Sequence, residues 1–132
     1  MDPLTLTVDI VIEYHKRVIA ASDAPEDLGT GGQLLFPGNL DFALEFYREF
    51  ADPLEQAAFL LHQIATGHPF VQGNKRMAFL LAALVLRRAP PERYRIASSD
   101  EENNRVVRDV AEARMTRSAV ESWLRSVVIK EG

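Results

Sequence analysis

Hydrophobic residues recur along this chain at intervals of three and four, and proline, glycine and small polar residues interrupt them, so the pattern predicts helices joined by turns. Thr7 is placed to cap the first helix, with Ile10, Val11, Tyr14, Val18 and Ala21 turned inward and Asp9 in the first turn. His15 and Lys16 fall on its polar side, and His15 reads as a solvated surface histidine. Asn39 is the expected cap for a helix from Leu40 to Phe50, in which Phe42, Phe46 and Tyr47 make an aromatic stripe suited to a core. Asp52-Pro53-Leu54-Glu55 combines a capping residue, proline at the first helical position and a glutamate three after the cap. The helix it opens runs to Thr66, burying Ala57, Leu60, Leu61 and Ile64 with His62 off the stripe. Gly67 is suited to end it in a left-handed conformation.

Met77 to Leu86 is apolar on every side, which for a helix means burial on every side. Arg87 and Arg88 complement its C-terminal dipole and Pro90-Pro91 stop it. Tyr94 to Ala97 is too short to assign as a strand. Ser99 or Asp100 caps a further helix to about Arg114, with Val106, Val107 and Val110 inward and Glu101 spaced to meet Arg105. Thr116 caps the last helix, whose Val120, Trp123, Leu124 and Val127 make a docking stripe. The expected fold is all-α: a single domain, residues 1–132, built as a helical bundle around a central buried helix. The segment 22–37 is the exception, a polar, glycine-rich loop that is long for a domain of this size. Its Thr30-Gly31-Gly32 run is no phosphate loop of the Walker type, because no strand precedes it and no Gly-Lys-Ser/Thr follows.

Composition narrows the function. At 132 residues and 47% hydrophobic content the chain can bury one real core. A net charge of −4 argues against nucleic acid as the main partner. The two short C-terminal helices have the outline of a helix-turn-helix, yet Glu112, Glu121 and the overall acidity speak against DNA. Without cysteine there is no disulfide, thiolate nucleophile or thiolate zinc site. Met1-Asp2-Pro3-Leu4 lacks the features of a signal peptide, and the ten-residue apolar run from Met77 is about half a membrane span. No membrane association is expected, and a cytoplasmic location is.

The chemistry concentrates in His68-Pro-Phe-Val-Gln-Gly-Asn-Lys-Arg76, directly before the most apolar segment. Pro69 keeps the chain out of a helix and Gly73 allows a tight turn before a new helix begins at Asn74. The open N–H groups of that first turn and the positive end of the helix dipole make residues 73–76 a nest for an anion. Lys75 adds a point charge and Arg76 a fork of donors matched to phosphate oxygens. Asn74 either orients a phosphate or holds the turn. His68 lies six residues before Asn74 and is the side chain suited to act as a base near neutrality. A base beside a phosphate cradle points to phosphoryl or nucleotidyl transfer to a hydroxyl, and Phe70 is expected to pin the loop to the core. A zinc site pairing His62 with His68 has no recognised ligand spacing and no third ligand.

The stretch His68 to Arg76 resembles the signature of the Fic superfamily, His-x-Phe-x-(Asp/Glu)-(Gly/Ala)-Asn-(Gly/Lys)-Arg, at six of its seven defined positions. The Asn-Lys-Arg ending is similar to the death-on-curing (Doc) toxin branch. In the AMP-transferring branch glycine stands where this chain has Lys75, and a second arginine where it has Phe79. The resemblance implies a Fic/Doc-type helical domain and a Doc-like toxin that transfers phosphate from ATP to a hydroxyl of a translation elongation factor, held in check by a cognate antitoxin. It makes His68 the catalytic base and Gly73, Asn74, Lys75 and Arg76 the grip on the nucleotide phosphates. It also implies that the segment before the second helix is a flap that positions the target chain, a role open to Leu34, Leu35 and Phe36 beside the simpler one of anchoring the loop to the core. Gln72 departs from the pattern, standing where the family has an acid that binds Mg²⁺. A neutral amide keeps the shape and loses the charge, so the alternative is a catalytically weak nucleotide- or antitoxin-binding member. Protein AMP transfer is the further alternative. Ser98-x-x-x-Glu102-Asn103 resembles the inhibitory motif by which a glutamate blocks the ATP site in some Fic proteins.

Overall fold

The computed structural model describes residues 5–88 and 93–131. Six α-helices carry most of them: α1 (Val8–Ala20), α2 (Pro37–Phe46), α3 (Pro53–Gly67), α4 (Asn74–Arg88), α5 (Asp100–Ala111) and α6 (Arg117–Val127). Single 3₁₀ turns at Pro25–Asp27 and Tyr47–Glu49 complete the helical part. Four of the caps read from the sequence form. The side chains of Thr7, Asp52, Ser99 and Thr116 accept from the amides of Ile10, Leu54, Glu102 and Ala119. The stop expected at Pro90-Pro91 lies outside the described residues.

The helices α3 and α4 are packed against each other along most of their length. On α4, Met77, Ala78, Leu81, Ala82, Val85 and Leu86 are buried, whereas Phe79, Leu80 and Leu84 are only partly so: burial falls on one face, where α3 packs, and not on every side as the apolar run predicts. The second buried axis is α3, which meets α2, α5 and α6 as well. One apolar cluster joins them, from Leu6 to Leu124. Gly67 ends α3 but does not turn left-handed; His68 does, at φ 46°. Gly67 has a different task, since a Cβ there would lie 3.3 Å from Asn39 Cβ. The glycine lets α2 approach α3, and Asn39, expected to cap α2, instead donates its side-chain amide to Gly67 C=O at 2.6 Å. Helix α2 begins earlier than its apolar pattern indicates, with Pro37 in its first turn.

The structure corrects several expectations. The buried stripe of α1 is Val11, His15 and Ile19, spaced by four, whereas Ile10 is 37% exposed. His15 is fully buried rather than solvated. Of the aromatic stripe on α2 only Tyr47 is buried; Phe42 and Phe46 lie against each other, centroids 4.6 Å apart, on the surface. Residues 93–96 form a strand after all: β1 (Arg93–Ile96) pairs antiparallel with β2 (Val128–Glu131), Arg93 facing Glu131 and Ile96 facing Val128. Strand β2 continues directly from α6, a change of conformation that a run of four residues with no turn signal does not announce.

Candidate active site

The turn between α3 and α4 is held from within by Asn74. Its Oδ1 accepts from Phe70 N–H and its Nδ2 donates to Phe70 C=O, both at 2.8 Å. Of the two roles open to it in the sequence, the Asn74 side chain takes the second: it holds the turn, and what it offers an anion is its backbone amide. Gly73 takes φ 82°, and the first backbone hydrogen bond of α4 runs from Met77 N–H to Gly73 C=O. The amides of residues 74–76 therefore stand at the helix mouth without intrahelical acceptors.

Phe70 is fully buried, as expected of an anchor, and its ring lies against the His15 ring, centroids 4.0 Å apart and planes 7° from parallel. The imidazole of His15 joins three segments. Its Nε2 donates to Gln72 C=O at 2.7 Å, and its Nδ1 accepts from Gly32 N–H at 2.9 Å. Both partners are satisfied only by the neutral ring protonated on Nε2. Burial, assisted by the positive charge of Arg76, holds its pKa below the ordinary histidine value. Nothing in a hydropathy pattern marks this residue except its position midway between Val11 and Ile19.

The 22–37 segment folds down beside the same turn. Val71 N–H donates to Gln33 C=O, Leu35 N–H and Phe36 N–H donate to Pro69 C=O, and Leu34 and Phe70 form an antiparallel bridge. Leu34 packs against the core while Leu35 and Phe36 are about half exposed. The residues expected to form a flap are thus strapped by their main chain to the outer edge of the turn. Further back, Asp27 is buried, accepting from Ser22 Oγ at 2.5 Å and from Arg76 Nη2 at 2.8 Å. The Ser22 hydroxyl, then Arg76, keeps its carboxyl below the usual carboxylate range.

A cavity of about 970 Å³ opens at the mouth of α4, in the upper range of small-ligand sites. His68 and residues 72–76 all line it, so the residues singled out by the sequence share one space. His68 is exposed at its rim, at the left-handed end of α3. Lys75 is exposed and Arg76 is 44% exposed beside its acid. The far wall comes from α5, with Asp100 and Asn103 of the Ser98–Asn103 stretch and, beyond what the sequence indicated, Asn104 and Arg108; Phe79 of α4 also lines the space. Glu102, the residue of the inhibitory resemblance, does not line the cavity. Its carboxylate accepts from Trp123 Nε1 at 2.7 Å.

The open amides, Lys75 and Arg76 are donors suited to an anion, and three acids, Glu26, Asp27 and Asp100, share the same lining. Gln72 offers a neutral amide where Mg²⁺ would want a carboxylate, and Asp27 is committed to Ser22 and Arg76. Among the described residues no three histidine, aspartate or glutamate side chains converge in a way that would hold a metal.

The chain is similar to known proteins. The chain is 26% identical over 104 residues to protein adenylyltransferase fic-1 of Caenorhabditis elegans and 27% identical over 104 residues to that of Caenorhabditis briggsae. Each match covers 65% of this chain, which spans only about 20% of the length of these curated relatives. A family model described as Fic/DOC matches residues 5–86, from the stretch before α1 through the cavity turn to the end of the α4 apolar run. The chain belongs to the Fic/DOC family.

Proposed function

We propose that this protein transfers a phosphorus-containing group from ATP to a hydroxyl of a protein, and that the group is phosphate, as in Doc-type toxins. The supporting observation is that His68 and residues 73–76 line one cavity. In this reading the open amides of the turn, Lys75 and Arg76 bind the phosphates. His68 takes the proton of the incoming hydroxyl, whose oxygen forms a bond to the γ-phosphorus as the bond to ADP breaks and ADP leaves with its electron pair. The flap at 34–36 holds the target chain, which by family resemblance is a translation elongation factor, and a cognate antitoxin restrains the activity. Gln72 supplies no carboxylate for Mg²⁺, so the phosphates hold it alone or together with another acid of the lining, Glu26 or Asp100.

His68→Ala is expected to lower the transfer rate by about 10²- to 10⁴-fold, the range of a lost general base, while ATP binding persists. Transfer at the wild-type rate by that variant ends the enzymatic reading. The names of the relatives favour AMP as the transferred group, and Lys75, in the position of the AMP-transferring glycine, favours phosphate. The mass added to the target separates them. Gln72 favours a second reading, a nucleotide-binding protein with little turnover. A large Mg²⁺-dependent gain in Gln72→Asp supports it, and robust turnover by the unaltered chain removes it.

A further inference from the structure

The ion pair between Asp27 and Arg76 joins the phosphate turn to a segment that the family signature does not include. The two residues are 49 positions apart, and the pair is asymmetric: the Asp27 side chain is 3% exposed and that of Arg76 is 44% exposed. The acid is the deeper of the two, and both residues line the cavity. Arg76 is engaged through Nη2, and the same group lies 3.4 Å from where a Cβ on Gly73 would be, so the guanidinium rests against the amide nest itself. Asp27 is in turn fixed by the hydroxyl of Ser22, and the Thr30 hydroxyl donates to its carbonyl at 2.6 Å. A buried carboxylate whose Oδ2 accepts from both Ser22 and Arg76, on a residue whose main-chain carbonyl is also held, is a rigid mount.

Resting on the reading of the cavity as a triphosphate site, we infer that Asp27 is a positioning residue: it holds Arg76 at the edge of the nest so that the remaining N–H donors face an incoming phosphate. The 22–37 segment is then half of the phosphate site and not only a flap support. An arginine left to itself samples many rotamers, and ordering it on binding costs affinity. The acid removes that cost beforehand. The opposite role, a carboxylate that competes with phosphate for Arg76, predicts tighter phosphate binding once the acid is removed, the reverse of what a mount predicts.

The test is the binding of ATP and of inorganic tripolyphosphate to the whole chain by titration calorimetry, with folding checked by circular dichroism. Asp27→Ala is expected to weaken both ligands about tenfold, the size of effect seen when a residue that orients a ligand-binding group is removed. In an Arg76→Ala background the same substitution is expected to add nothing, a result that a merely structural role would not produce. If Asp27→Ala does not fold, Asp27→Asn, which keeps the shape and one acceptor oxygen, takes its place and is expected to weaken binding less. Loss of the charge alone would tighten phosphate binding. A folded variant that binds as tightly as wild type or tighter therefore overturns the inference, and so does a loss that persists undiminished without Arg76. Wild-type binding of tripolyphosphate but not of ATP would overturn the ATP reading and leave the role of Asp27 to the tripolyphosphate data. Binding of neither would remove both.

Discussion

The α3–α4 pair and the girdle of polar contacts around the mouth of α4 are adjacent in space and built on different physics. The pair is apolar, with Leu60, Leu61, Ile64, Leu81 and Leu86 at zero exposure, and its contacts are many and individually weak. The girdle is a handful of directional bonds: His15 to Gly32 and Gln72, Asn74 to Phe70, Asp27 to Ser22 and Arg76. An apolar core tolerates changes of partner as long as volume is kept. A girdle of this kind fails at one atom, because a buried donor or acceptor that loses its partner has no other within reach. The fold is thus set by the first region and the shape of the cavity by the second, and the two should respond differently to substitution.

The largest effect belongs to the core. Leu81→Ala is expected to cost about 2–5 kcal/mol in denaturant unfolding, from the lost transfer energy and the cavity left behind. The folded fraction should still bind ATP as wild type does. A change in ATP affinity as large as that of a girdle variant would erase the distinction between the regions. Next comes His15→Phe, which keeps the stack on Phe70 and removes both hydrogen bonds. Leaving Gly32 N–H and Gln72 C=O unpaired is expected to cost about 1–3 kcal/mol, with hydrogen exchange of the Gly32 and Gln33 amides accelerated more than that of α3.

A third test uses pH. Burial lowers the pKa of His15 in the folded protein, so below the ordinary value near 6.5 the unfolded chain binds more protons than the folded one. The sign is then fixed. The contribution is fully present above the unfolded pKa and is lost as pH falls through the window between the two values. His62 on α3, also lowered by burial, acts in the same direction. Wild type should lose stability as pH falls from neutrality to about 5, below the unperturbed histidine value, and the loss should be smaller in His15→Phe; equal losses would mean that His15 is not neutral in the fold. The smallest effect is expected at the ribbon. Arg95, 54% exposed, pairs with Glu131 at 3.2 Å, and Arg95→Ala should change stability by less than about 1 kcal/mol and leave ATP binding untouched.

The same contrast explains what could be read in the sequence. The helices, their caps and the buried run on α4 follow from neighbours three and four residues away, so Thr7, Asp52, Ser99 and Thr116 are legible as they stand. The motif from His68 to Arg76 is also local, and the structure brings it into one cavity. What was not legible depends on distant partners. His15 counts as polar until Gly32 and Gln72, 17 and 57 positions away, supply a donor and an acceptor that make its burial possible. Asp27 sits in a loop with no periodicity, and its partner is 49 positions on. Strand β1 finds its partner at the other end of the described chain. Phe42 and Phe46 failed in the opposite way: helical spacing shows that residues share a face, not which face the rest of the protein covers.

Tyr14 and His15 are consecutive in α1, yet they reach opposite ends of α4. The Tyr14 hydroxyl accepts from Arg88 Nη2 at 3.0 Å in the last turn, and His15 holds the carbonyl of Gln72 just before the first. At about 1.5 Å of rise per residue, the residues that supply these two attachment points are roughly 20 Å apart along the axis. Helix α1 therefore works as a brace across the long rod. Axial slip of the rod by even a single turn would break one or other of the two fastenings, so helix α1 fixes the register of the rod at its mouth and at its far end alike.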